Sequence, residues 1–302
     1  MTEGLRASLA NAFDRVYSDQ RREWLDHAVV NVSIAGFLVH LLLVFLSRTL
    51  PNLPALRAAV GTNYLAAIYT PFSVILFYEV LMLIAALPHS TTQSIAKQYE
   101  IVSLIFIRRF FKDIAQLDDI GKLAQLSPEV LPVFLDVGAG LFMFLLVTVF
   151  LHAGRRRPQR DTGTEESAEL KKFISRKKAI ALALVVLLVA LAAYSLVVFA
   201  FEDSQAIYRG TKLTLDPNTF FYTDLFTVMI FTDVLIVILS LSVSDRYELV
   251  FRNAAFVIST ILIRFSLTTE RRYSALLAVT GMAFGIVTLV IYNYHARVRA
   301  LE

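Results

Sequence analysis

Charged side chains inside apolar runs are the chemistry this chain offers. Glu79 lies in "YTPFSVILFYEVLMLIAAL" and Asp233 in "YTDLFTVMIFTDVLIVILSL". Glu100, Arg108, Arg109 and Lys112 lie in "SIAKQYEIVSLIFIRRFFKDIAQ", and Arg264 in "FRNAAFVISTILIRFSLTT". Asp136 and Asp224 stand toward the outer ends of two further runs. A charge at the bilayer centre costs at least about 2.5–3.5 kcal/mol, so such groups pair, face water or serve a transported ion. Spacing suggests the pairs. If 64–87 and 95–117 form an antiparallel hairpin turning near residue 91, the residue level with Glu79 is about 103. Arg108 is then roughly 7 Å further along, within reach of an extended arginine. A turn near 247 brings Asp233 level with about residue 261, close to Arg264. The expected pairs are Glu79 with Arg108 or Arg109, and Asp233 with Arg264.

Two uses of such pairs compete. They line or gate a polar pathway, or they fix helix register as buried ions sometimes do. On the first reading the pathway or gating residues are Glu79, Glu100, Arg108, Arg109, Lys112, Asp136, Asp233 and Arg264. The stretch 95–117 carries the most charge and is the expected functional helix.

The elements that hold these residues are membrane helices. Apolar residues make up 57% of the chain and charged ones 18%, with a mean hydropathy of +0.62. A soluble domain is closer to 45–50% apolar and about 25% charged. Six segments have the length and composition of spans: 28–50, 64–87, 130–152, 179–201, 220–243 and 273–294. Two more, 95–117 and 251–269, are helix-like but interrupted by arginine. Segment 153–178 contains nine Lys or Arg and belongs on the cytoplasmic side. If 95–117 crosses, both termini are cytoplasmic and eight crossings result. If it is re-entrant, the N-terminus is external and five basic residues lie outside. The first arrangement obeys the charge rule better. Residues 1–27 carry nine charged side chains, so the first apolar run is expected to be an internal anchor and not a cleaved signal. The plasma (inner) membrane is the expected location.

Four echoes recur in one order in the two halves. Tyr69-Thr70 leading to Glu79-Val80-Leu81 matches Tyr222-Thr223 leading to Asp233-Val234-Leu235. "KQYEIV" at 97–102 matches "DRYELV" at 245–250, and "FIRRF" at 106–110 matches "LIRFS" at 262–266. Gly138 precedes His152-Ala153 by 14 residues, and Gly281 precedes His295-Ala296 by 14. The expected fold is an all-α polytopic membrane protein of about eight transmembrane helices, arranged as two parallel four-helix repeats. The units are 28–152 and 179–295, joined by a charged cytoplasmic linker at 153–178. An amphipathic lead-in at 1–27 precedes them and a short tail at 296–302 follows. Parallel repeats are related by an axis along the membrane normal, where a shared pathway would lie. Residues 5–17, with Leu5, Leu9, Phe13 and Val16 at helical spacing, suit either the membrane surface or the inner face of the bundle. Loop 202–219 with Asp216-Pro217-Asn218 is the largest expected external loop.

Other chemistry is not written in the chain. There is no cysteine, HExxH, Walker A loop or GxSxG elbow, so neither an enzyme nor a cofactor or metal site is expected. The five histidines are scattered, and only His40 falls mid-helix. The net charge of +4 comes largely from short loops and reports orientation, not a nucleic-acid partner. The expected partners are the bilayer and a small ion or proton, with assembly into a homo-oligomer left open. The function that suits this pattern is an ion or proton channel or a secondary transporter. The alternative is a non-transporting scaffold or sensor that docks a partner through 95–117.

Overall fold

The computed structural model describes residues 3–50, 56–57, 60–88, 91–116, 131–155, 164–209, 217–241 and 247–298. The described residues are almost entirely α-helical, without a strand. Nine long helices are named here in chain order: α1 (Glu3–Val16), α2 (Asp19–Thr49), α3 (Tyr69–Ala85), α4 (Thr91–Gln116), α5 (Leu131–Arg155), α6 (Thr164–Arg209), α7 (Pro217–Leu241), α8 (Tyr247–Thr268) and α9 (Arg271–Val298).

Local chemistry sets the helix ends. Gly61 has φ of +75°, the left-handed turn that glycine adopts without a Cβ penalty. A short 3-10 turn, Tyr64–Ile68, follows, and the Asn63 side chain accepts from the Leu65 N–H at 2.9 Å. Ser47 Oγ donates to the Gly61 carbonyl at 2.5 Å and Arg48 Nε to the Thr62 carbonyl at 2.6 Å, tying this turn to the end of α2. Pro71 and Pro132 lie in first turns, and Pro217 is the first residue of α7, where the missing N–H is no loss. Only residues 269–270 separate α8 from α9, so these two pack as an antiparallel hairpin.

Six helices are long and apolar enough to cross a membrane: Asp19–Thr49, Tyr64–Ala85, Leu131–Arg155, Lys171–Tyr194, Tyr247–Thr268 and Arg271–Val298. The doubtful segment 251–269 is thus among them, as α8. Residues 220–241 of the segment 220–243 lie in α7, a helix of 25 residues part of whose side chains lie outside the described ones. Segment 95–117 lies in α4, 26 residues long and too charged for the same criterion. Large apolar side chains face outward in rows, as Val30, Ile34, Leu38, Leu42 and Phe45 do on α2. A surface of this extent calls for hydrocarbon, not water.

The helices pack in the same order in each half. In the first, α2 lies on α3, α3 on α4 and α4 on α5; in the second, α6 lies on α7, α7 on α8 and α8 on α9. The halves meet mainly where α5 packs on α9, with α4 touching α8. Two dry clusters result. One joins Val80, Ile84, Ile101, Leu188, Leu225 and Met229; the other joins Tyr99, Phe106, Phe150, Phe256, Ile263 and Met282. Helix α4 contributes to both, through Ile101 and through Tyr99 and Phe106. Lipid tails are as apolar as these residues, so close van der Waals contact has to hold the helices together. Small residues allow it. A Cβ added at Gly140 would lie 3.3 Å from the Ser103 carbonyl on α4, and one at Gly281 3.0 Å from the Ser259 carbonyl on α8.

Several boundaries differ from those read off the sequence. Helix α2 begins at Asp19, inside the expected lead-in. The expected linker 153–178 is largely helical, because α5 runs to Arg155 and α6 starts at Thr164. Helix α6 also runs to Arg209, so 202–209 is not loop; 210–216 lies outside the described residues. The polar Thr164–Lys178 stretch is rich in Glu, Ala, Leu and Lys, good helix formers that carry the helix beyond the apolar run. Helix α1 packs on the bundle. It packs along α6, with Phe13 buried in the first cluster. Lys178 Nζ meets Asp14 Oδ2 at 2.6 Å, and Tyr17 Oη donates to the Leu81 carbonyl at 3.3 Å. Phe13→Ala is expected to release α1: hydrogen–deuterium exchange in detergent should rise over 3–16 and stay slow in α5 and α9.

Candidate functional site

Four ion pairs link helices at or near membrane depth. Arg108 on α4 binds Glu79 on α3, both largely buried. Arg264 Nη2 on α8 lies 2.8 Å from Asp233 Oδ2 on α7, with side-chain exposures of 4% and 7%. Arg271, at the head of α9, reaches Asp113 Oδ2 on α4 at 2.5 Å and Asp136 Oδ2 on α5 at 2.9 Å. Each pair joins helices that already touch, so it restricts sliding and rotation as well as neutralising charge.

The Asp233–Arg264 pair is the deepest. Thr260 Oγ1 lies 3.1 Å from Asp233 Oδ2, and Arg264 Nη2 donates to Gln98 Oε1 on α4 at 3.1 Å. Arginine 264 thereby bridges the two halves. A cavity of about 30 Å³ adjoins Asp233; Ser94, Gln98, Lys177, Asn253 and Thr260 also line it. That is room for a water or two. Lysine 177, on α6, is buried beside it, its ammonium 5.6 Å from the Phe173 ring centre.

A second constellation sits at the other end of α4. Arg109 Nη1 donates to Ser274 Oγ on α9 at 2.7 Å, and its guanidinium lies 4.2 Å from the centre of the Phe106 ring. Ser274 in turn donates to the Ser266 carbonyl. With Asp113, Asp136 and Arg271, this ties α4, α5 and α9 together. Arg271 is 40% exposed, whereas Asp136 is buried at 4%, so the arginine caps a buried acid from the solvent side.

A third element is uncharged. Tyr99, fully buried on α4, has its hydroxyl 2.5 Å from Ser259 Oγ on α8. Ser259 donates to the Gly281 carbonyl on α9 at 2.6 Å, so Tyr99 donates to Ser259. Gly285 makes this chain fit, because a Cβ there would fall upon the Tyr99 hydroxyl.

The residues singled out from sequence thus separate into groups. Glu79 meets Arg108; Arg109 turns to the α9 side instead. Asp233 meets Arg264, and Asp136 meets Arg271. Lys112 lies against the Tyr69 ring, 5.7 Å from its centre. Glu100 does not join the core: it pairs with Lys97 at 2.9 Å on the partly exposed side of α4. Its i,i+3 neighbour satisfies it locally. Asp224 is exposed, and His40 Nδ1 sits 2.6 Å from Thr70 Oγ1. In the glycine echo, Gly138 faces outward with no atom near its missing Cβ; Gly140 makes the helix contact that Gly281 makes in the other half. Spacing along the chain does not reveal Lys177, which reads as one of nine basic residues in a linker, or Gln98, which is simply polar. Arg271 also reads as loop charge; only its place at the head of an apolar run hints at more.

This architecture and its outward apolar surface define an integral membrane protein of the all-α class. Comparison with protein-family models, with curated proteins and with solved structures finds no match to this chain.

Proposed function

We propose that this protein moves a small ion or a proton across the membrane, through a polar route near the junction of two four-helix units. In this reading the chain crosses eight times, α4 and α7 included, with both termini cytoplasmic. The units are α2–α5 and α6–α9. Four correspondences support the duplication. The packing order repeats, and the second helix of each unit holds an acid that binds an arginine of the third. In each third helix a serine carbonyl accepts close approach of a glycine, at Ser103 with Gly140 and at Ser259 with Gly281. The arginine follows that serine by five residues in both, at Arg108 and Arg264.

The observation that carries the transport reading is the Asp233–Arg264 pair, nearly inaccessible and yet beside a small cavity, largely apolar, that Gln98, Lys177 and Thr260 also line. A pair kept only for register needs no space around it. The Arg271–Asp113–Asp136 cluster then serves as the outer closure, and the Asp233 cavity is the inner part of the route. The cavity does not extend to Glu79 and Arg108, so the second unit holds the central site and the first pair supports it. The scaffold alternative requires Arg109, Lys112 and Asp113 to present a docking face. Their contacts run to Phe106 and Ser274, to Tyr69 and to Arg271, within the bundle.

Purified protein in liposomes tests this. Wild type should carry flux down an imposed ion or pH gradient. Glu79→Gln and Arg108→Gln should change it by about tenfold, the effect of altering a barrier by about 1.4 kcal/mol. An absence of flux for every gradient tried, in protein that elutes as a single folded species, would falsify the transport reading.

A further inference from the structure

The cavity beside Asp233 discriminates between cargoes by its lining. Gln98 Oε1 accepts from Arg264, and Asn253 Oδ1 accepts from Arg252 Nε and Nη2 at 3.3 and 3.0 Å. Each of these amide oxygens already accepts from an arginine, and each amide also carries two N–H donors. Lysine 177 adds an ammonium to the lining. A sodium or potassium ion requires a shell of oxygens; Asp233, Ser94 and Thr260 supply a few, but the Lys177 ammonium beside them repels a second cation. An anion would meet the Asp233 carboxylate in a buried setting, where like charges repel strongly. A volume of about 30 Å³ also excludes any ion that keeps its hydration shell. A water molecule fits both the size and the mixed donors and acceptors.

We infer that the cargo is the proton, and that Asp233 is the group that carries it, exchanging with Lys177 through water in this cavity. The inference rests on the transport reading and narrows it. The step balances simply. The Lys177 ammonium gives a proton to the cavity water as that water gives one to the Asp233 carboxylate, leaving a neutral amine and a neutral acid. The charged groups facing Asp233 are Arg264 from α8 and Lys177 from α6; α4 presents Gln98 and Ser94, and the turn after α3 presents Leu87. When Asp233 is neutral, Arg264 loses an anionic partner but retains Gln98, which keeps the guanidinium in position across the two halves. Arg264 is thus a positioning residue, and Asp233 and Lys177 are the exchanging pair.

The test is flux in liposomes with separate gradients of H⁺, Na⁺, K⁺ and Cl⁻, followed by pH-sensitive and ion-selective dyes. Wild type should move protons alone. Asp233→Asn, which keeps shape but cannot exchange a proton, should lower proton flux by at least about tenfold. Asp233→Glu should retain part of it. Lys177→Met should slow the flux but leave it selective. Infrared pH titration of the folded protein gives a second readout, since a carboxyl band present in wild type should vanish in Asp233→Asn. Proton flux equal in wild type and Asp233→Asn would overturn the assignment, as would the absence of that band change. Flux of Na⁺, K⁺ or Cl⁻ in place of protons would overturn the proton cargo and leave the transport reading standing. No flux of any kind would sink both.

Discussion

Replacing Arg264 with leucine alone should cost about 3–5 kcal/mol of stability, because it removes the direct ion-pair partner of a buried carboxylate and leaves only the Lys177 ammonium across the cavity. Two states are then open to Asp233, and both are unfavourable: the carboxylate stays charged without its arginine, or it takes a proton. The double replacement Asp233→Leu with Arg264→Leu should recover most of that loss, since neither charge remains to be desolvated. The recovery will be incomplete. Gln98 and Thr260 lose partners at 3.1 Å each, and a buried polar group left unsatisfied costs about 1–3 kcal/mol. The same cycle on Glu79 and Arg108 should give a smaller coupling, because their exposures of 15% and 11% exceed those of the deeper pair. Denaturation in mixed micelles, followed by helicity, measures all of these. Additive single substitutions at Asp233 and Arg264 would mean that the pair does not act as a unit.

Gly285→Ala is the second large effect expected. The added methyl would overlap the Tyr99 hydroxyl and come within 3.1 Å of its Cζ and 3.0 Å of Ser259 Oγ. Tyr99 has no accessible surface and lies among Phe150 and the α8 and α9 side chains, so it cannot step aside without disturbing its neighbours. Overpacking of this kind costs typically about 1–3 kcal/mol. Loss of the Tyr99 to Ser259 hydrogen bond adds about 1 kcal/mol. Tyr99→Phe alone should cost about that hydrogen bond. Combined with Gly285→Ala it should destabilise less than the sum of the two, because the ring without its hydroxyl meets the methyl less severely. The coupling energy from a thermal or denaturant cycle is the quantity to read. A Gly285→Ala protein as stable as wild type would show that α4 and α9 are not held at this separation.

How much of this was legible along the chain depends on the range of the interaction. Apolar runs announce the helices because each must bury its own backbone hydrogen bonds in hydrocarbon, a requirement met within one segment. The Glu79–Arg108 and Asp233–Arg264 contacts were also within reach of sequence reasoning. Each joins consecutive helices, so a turn position and a rise per residue suffice to bring them level. Charge density alone misled at Glu100, whose partner Lys97 lies one turn away on the same face. It also misled in 153–178, where charges suggest a linker while residues such as Glu, Ala and Lys continue the helix of α6.

The contacts between the two halves lie beyond that reach. Arg271 meets Asp113 and Asp136, separated from it by 158 residues in one case, and Arg264 meets Gln98 across 166. Nothing in local spacing distinguishes these partners from other polar residues near helix ends. Their selection follows from the seating of α5 on α9 and of α4 on α8 and α9, and Gly285, against Tyr99 of α4 and Ser259 of α8, permits the close approach of α9 to both. The chain by itself determined a bundle of membrane helices and the partners of Glu79 and Asp233, since propensity, hydropathy and hairpin geometry act locally. Only the tertiary structure decided that Lys177 and Gln98 join Asp233 around one water-sized space, because that placement depends on four helices packing at once.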